Sequence, residues 1–119
     1  AQQWLVFQAA HIGPMFGQFG HFHVYAKDKT TDTYARNRYL NETKRLLKVL
    51  DTRLAGRDHI LDDYSIVDMA IMPWVECLES FYKAADVLEL DALPNVKGWR
   101  ARVTSRPGYQ RGKNVGRLG

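Results

Sequence analysis

The residues able to do chemistry in this chain are few: four histidines, one cysteine and a group of arginines on one helical pattern. The nitrogen donors are His11, His21, His23 and His59. His21 and His23 stand two apart, which points them away from each other on a helix. Neither an H-E-x-x-H motif nor a cysteine pair accompanies them, so no metal site is expected. Cys77 lies in an apolar run with Glu76 and Glu79 nearby. Neither burial nor neighbouring carboxylates lower a thiol's pKa, so Cys77 reads as a small core residue rather than a nucleophile. Arg36, Arg38 and Arg45 read first as a solvated helix face. The chemical alternative is that an arginine in the N-terminal half of that helix clamps a carboxylate through a two-pronged hydrogen bond.

The stretch HIGPMFGQFGHF, residues 11–22, concentrates glycines, phenylalanines and histidines. Gly13, Gly17 and Gly20 do not form G-x-G-x-x-G, no GKS or GKT follows, and no strand pattern precedes them. A phosphate loop is therefore not expected. Steps of four and three place the three glycines on one helical face, where they leave room for a close neighbour. The spacing predicts a glycine-faced helix interrupted at Pro14.

These residues must be positioned by helices. Residues 2–12 read as a helix entering that stretch, which ends near Tyr25. Residues 27–33, KDKTTDT, form a polar connection with helix-capping candidates. Over about 32–55, Tyr39, Thr43, Leu46, Leu47, Leu50 and Leu54 recur at three- and four-residue steps. Asn37, Asn41, Lys44, Lys48 and Asp51 fill the opposite face, and Gly56 falls where a left-handed cap is expected. Ser65 and Asp68 have capping-box spacing, with Tyr64 and Met69 placed as a hydrophobic staple. The helix they start is apolar nearly all round, which predicts burial, and Pro73 predicts a bend within it. Residues 84–91 could form a short helix. Another is expected over about 95–105 after Pro94, and a last turn from Pro107. No segment alternates with a period of two. The expected fold is an all-α bundle of about five to seven helices around a buried central helix, residues 65–82.

At 119 residues, with 45% hydrophobic and 25% charged residues, the chain reads as one globular domain, 1–119. The net charge of +4 is spread along the chain rather than clustered, which argues against nucleic acid as a partner. The one dense basic run, residues 106–117, reads as a solvated tail. A single cysteine excludes a disulfide framework and fits a cytoplasmic protein. No apolar run reaches membrane-spanning length. The chain starts AQQWLVFQ, without Met and already inside a helical pattern, which predicts a piece of a longer polypeptide.

Two stretches together point further. YSIVDMAIMPW, with its capping box, and LPNVKGWRARVTSRPGYQRG resemble the C-terminal helical domain of cytosolic glutathione transferases. QWLVFQAAHIGPMFGQFGHF and YARNRYLNETKRLLKVLDTRL are similar to the bacterial Nu-class with disulfide-bond reductase activity, and to the related yeast nitrogen-regulatory prion protein. The resemblance covers nearly the whole chain. It implies that the Ser65–Asp68 box is tied to folding of the domain. It implies glutathione as cosubstrate, contacted here by Gln3 in the Q-W pair and by Arg38 in the R-Y pair. It implies that Phe16, Phe19, Phe22 and Tyr25 wall a pocket for a small electrophile or disulfide. The residues that hold the glutathione thiolate would lie on an N-terminal thioredoxin-like domain absent from this chain, so no catalytic residue is expected here. The first two helices would form much of a homodimer interface. His11 departs from the pattern, standing where some relatives have glycine. The competing expectation is a non-catalytic interaction module built on the same helical fold.

Overall fold

The computed structural model describes residues 1–26, 29 and 33–115, and its elements are helical. Helix α1, Gln2–Phe7, runs into a π-turn, Gln8–Ile12, then into α2, Gly13–Gly20, and a second π-turn, His21–Tyr25. The junctions at Phe7, Gln8, Ile12, Gly13, Gly20 and His21 all keep right-handed helical dihedrals. The path is therefore continuous, and the interruption expected at Pro14 is absent. Pro14 falls in the first turn of α2, where its missing N–H costs least. Just before it the amide of Gly13 reaches back five residues to the carbonyl of Gln8, so the helix widens instead of breaking.

Helix α3, Tyr34–Leu54, buries the predicted stripe: Thr43, Leu46, Leu47, Leu50 and Leu54. Gly56 takes the expected left-handed conformation at φ +73°. Most of the capping candidates in 27–33 lie outside the described residues; Thr33 precedes α3 with no side-chain cap bond. Helix α4, Ile66–Ser80, starts at Ser65 with both halves of the capping box present. The Ser65 hydroxyl oxygen accepts from the Val67 amide at 3.2 Å, and Asp68 Oδ2 accepts from the Ser65 amide at 3.0 Å.

The central helix is not buried all round. Val67, Ile71, Met72, Val75 and Leu78 enter the core, but Ile66 and Met69 are 57% and 51% exposed, and Pro73 is exposed too. Apolar composition showed that this face prefers cover without showing what covers it. The short helix expected over 84–91 is a series of turns ending in a 3₁₀ turn, Leu90–Ala92. Lys83 and Glu89 both sit at φ 55°, a left-handed conformation that an α-helix cannot propagate through.

The glycine face of α2 meets α4. A Cβ at Gly13 would lie 3.4 Å from the Trp74 ring and one at Gly17 3.9 Å from it, while one at Gly20 would overlap the hydroxyl end of the Tyr82 ring. The close neighbours are two aromatic side chains. Phe16 and Phe19, flanking that face of α2, are buried in one core with Leu46, Leu47 and Leu50 of α3.

Helix α5, Pro94–Thr104, has no local side-chain cap. Its cap comes from α3: Asp51 Oδ1 accepts from the amides of Asn95 and Val96 at 2.9 and 3.0 Å. Asn95 Nδ2 in turn donates to the Asp51 carbonyl at 3.2 Å. Asp51, read from spacing as part of a solvated face, thus pins α5 to α3. Asp51→Ala should cost about 1–2 kcal/mol, the usual loss of an N-cap. Urea unfolding measures it, and a change under about 0.3 kcal/mol would remove this role.

A second clamp joins α5 to α4. Arg100 Nε donates to Glu76 Oε2 at 2.6 Å and Nη2 to Oε1 at 3.1 Å, while Nη1 pairs with Glu79. The hydrogen bond from Arg100 holds the Glu76 carboxyl below its ordinary 4.5, against the opposing effect of burial. A depressed carboxylate pKa contributes stability that is present above the unfolded value and is lost as pH falls through the folded one. Unfolding free energy should therefore drop on acidification below about pH 4.5, and Glu76→Gln should flatten that drop. An identical acid limb in the variant would count against the assignment. Helix α6, Pro107–Gly112, closes the described chain, and no described helix is long and apolar enough to cross a membrane.

Candidate functional site

Two open clefts stand out among the described residues. The first, of about 780 Å³, lies between the π-turn Gln8–Ile12 with the start of α2 and the first half of α3. The π-turn contributes His11 and α2 contributes Met15, while one face of α3 contributes Tyr34, Arg38, Asn41, Glu42 and Arg45. The spacing of those α3 residues follows the helical period, so a single face delivers all of them to one side.

The electrostatics of this cleft centre on Glu42. Arg45 grips it with two prongs, Nε to Oε2 at 2.9 Å and Nη2 to Oε1 at 2.6 Å. The hydrogen bond from Arg45 is the main cause holding the Glu42 carboxyl below its ordinary 4.5; burial opposes it, and the charges of Arg45, His11 and Arg38 add to it. The same contact raises Arg45 above its ordinary value. Glu42 is therefore ionised at neutral pH, with Arg38 and Arg45 flanking it along α3. Arg45 is thus engaged by an acid of its own helix, Glu42, which sequence reasoning overlooked. The three-residue step from Glu42 to Arg45 was the available signal.

The second cleft, of about 760 Å³, opens along the exposed edge of α4 against α6. Tyr64, Met69, Pro73 and Tyr109 form its apolar surface, with Arg106 and Lys113 among its cations. The Arg106 guanidinium covers the Tyr64 ring at 3.7 Å, and Met69 lines the same cleft.

The structure separates the other predicted site residues. Gln3 is exposed on α1 and does not line the Arg38 cleft. Phe16 and Phe19 are 0% and 1% exposed and belong to the core, which corrects their expected place in an open pocket wall. Phe19 stacks on His23 at 5.0 Å and shows only an edge to a small recess of about 230 Å³. Phe22 is half-buried and stacked on Tyr39 of α3 at 5.5 Å, and Tyr25 is exposed beside Phe81. Gly13, Gly17 and Gly20 point one helical face inward, and the phenylalanines between them follow it into the core. Only those beyond Gly20 reach the surface.

Ser65 and Asp68 stand away from the Arg38 cleft and do structural work. Asp68 is fully buried, and its Oδ1 accepts from the Ile60 amide at 3.2 Å and from Trp99 Nε1 at 2.7 Å. Cys77 is half-buried. Burial, and then the Cys77 thiol, push the Tyr82 hydroxyl up to about 12.

Comparison with known proteins gives this arrangement a context. The family model for the glutathione S-transferase C-terminal domain matches residues 9–107. The disulfide-bond oxidoreductase YghU of Escherichia coli is 42% identical over 117 residues, covering 96% of this chain and 39% of that protein. A glutathione transferase from Burkholderia graminis, solved with two glutathione molecules per subunit, superposes with a TM-score of 0.95 at 46% identity. One from Pseudomonas putida, solved with a glutathione disulfide per subunit, superposes at 0.94 and 45%. Each alignment covers 98% of this chain, and 49% and 50% respectively of the other, so the chain spans about half the length of the proteins it matches.

Proposed function

The chain belongs to the glutathione S-transferase C-terminal domain family, and on that premise we propose that it is the substrate-facing, dimer-forming half of a cytoplasmic glutathione-dependent enzyme. The observation that carries this reading is the likeness over 98% of the chain to proteins solved with glutathione or its disulfide. The enzyme conjugates glutathione to a small electrophile or reduces a disulfide. In the second case a glutathione thiolate attacks one sulfur of the disulfide and expels the other as a thiolate. A second glutathione thiolate then attacks the mixed disulfide, leaving glutathione disulfide and the reduced substrate. The sulfur chemistry is the ligand's own, and Cys77 has no part in it.

In this division of labour a preceding thioredoxin-like domain holds the reacting thiolate. The exposed apolar residues of α4, Ile66 and Met69, offer that domain a surface to cover. Arg38 binds a glutathione carboxylate from the α3 side of its cleft, a task suited to a guanidinium. Gln3 adds a polar contact from α1, and Phe22 and Tyr25 form the wall that remains open to a second substrate.

The test uses the complete polypeptide that contains this chain. Arg38→Ala should weaken glutathione binding by more than about tenfold in calorimetric titration, the expected loss of a charge-assisted contact. A change within about twofold would end the Arg38 role. The 119-residue chain alone should show no transferase turnover.

A further inference from the structure

The Arg38 cleft carries one feature that simple carboxylate binding does not use: an ionised acid set between two arginines. Arg38, Glu42 and Arg45 lie on one face of α3, and all three line the same cleft. An exposed Glu–Arg pair three residues apart on a helix contributes little to stability, so the arrangement is not explained as a fold-stabilising contact. Arg45 fills two of the roughly four acceptor positions of the Glu42 carboxylate, and the others stay available. Glutathione carries the complementary pattern. Its γ-glutamyl end holds a carboxylate and an ammonium on one carbon, and its glycyl end holds a second carboxylate. Arg38 and Glu42, four residues apart on adjacent turns, present a cation and an anion side by side.

We propose that the Arg38–Glu42 pair reads the zwitterionic α-amino-acid end of a glutathionyl ligand, Arg38 taking the carboxylate and Glu42 the ammonium. Arg45 is a positioning residue that keeps the Glu42 carboxylate turned along the cleft, and His11 faces the pair from the π-turn. The inference rests on the glutathione reading above and adds the ammonium as the group recognised. It makes the cleft selective for ligands with a free amino terminus, where a site of arginines alone would accept any carboxylate of suitable size.

The experiment compares glutathione with N-acetylglutathione, which keeps both carboxylates and loses the positive charge, by calorimetric titration of the complete polypeptide. Glu42→Gln should weaken glutathione binding at least fivefold while leaving N-acetylglutathione within about twofold. The preference for the free amine therefore collapses. Arg38→Ala should weaken both ligands together, and Arg45→Lys should partly reproduce the Glu42→Gln pattern. If Glu42→Gln weakens both ligands equally, Glu42 has only a structural role and the inference is wrong. If it changes neither while Arg38→Ala still weakens both, the ammonium reading fails and the glutathione reading stands. If wild-type protein binds neither ligand, both readings fall together.

Discussion

Asp68→Ala should cost on the order of 3–5 kcal/mol, because it leaves three donors unpaired at about 1–3 kcal/mol each. The size follows from what the carboxylate holds. Oδ2 accepts the Ser65 amide at the start of α4, and Oδ1 accepts both the Ile60 amide in the preceding loop and Trp99 Nε1 on α5. Alanine leaves all three donors without that acceptor in a site with no exposure. A domain of ordinary stability has about 5–15 kcal/mol in total, so the variant should be partly unfolded at physiological temperature. Two companions divide the effect. Trp99→Phe removes one donor and keeps most of the ring, and should cost about 1–3 kcal/mol. Ser65→Ala removes the cap alone and should cost about 1 kcal/mol. Chemical denaturation with a constant slope decides the matter, and a loss below about 1 kcal/mol for Asp68→Ala would show that the three bonds are dispensable.

Gly20→Ala is the second substitution with a large expected effect, and it runs against helix propensity. In an exposed helix the change should gain close to 1 kcal/mol. Here the new methyl would overlap the hydroxyl end of the ring of Tyr82, a residue only 9% exposed that contacts the Cys77 thiol. The ring has to move out of a packed site, and overpacking of this kind costs about 1–3 kcal/mol. The diagnostic is coupling. Tyr82→Leu removes the obstructing ring atoms, so Gly20→Ala should become neutral or stabilising in that background. Strict additivity of the two changes would show that the clash is relieved elsewhere. Gly108, where a Cβ meets nothing within 4 Å, is the control.

The features legible in the sequence were those settled by neighbours one or two turns away. The α3 stripe, the Gly56 cap and the Ser65–Asp68 box are of this kind, since spacing alone specifies which groups can meet. What escaped were contacts between residues far apart in the chain. Asp51 looked like one more polar residue on a solvated face, yet it caps a helix 44 positions away. Asp68 was read for its local bond to Ser65, while its shortest bond is to Trp99, 31 positions on. Arg100, which binds two carboxylates of α4, carried no local mark at all. The candidate site divided in the same way. The resemblance singled out Arg38 and passed over the acid that lines the same cleft, because a Glu–Arg step on a helix surface is common. Phe16 and Phe19 were misplaced because aromatic content does not distinguish a core from a pocket wall. That distinction depends on where α3 and α4 lie against α2.

The two π-turns change what counting along the first helix can say. Each is a helix holding one residue more than an α-helical path needs, and it takes up that residue without forming a loop. Its effect is angular. One residue corresponds to about 100° of rotation, so the faces of α1 and α2 are out of phase by roughly that amount across Gln8–Ile12. Gln3 and Trp4 thus point where an uninterrupted count from Gly13 would not send them. A single-residue deletion within Gln8–Ile12 would leave the composition almost unchanged and turn the entire amino-terminal segment around its own axis.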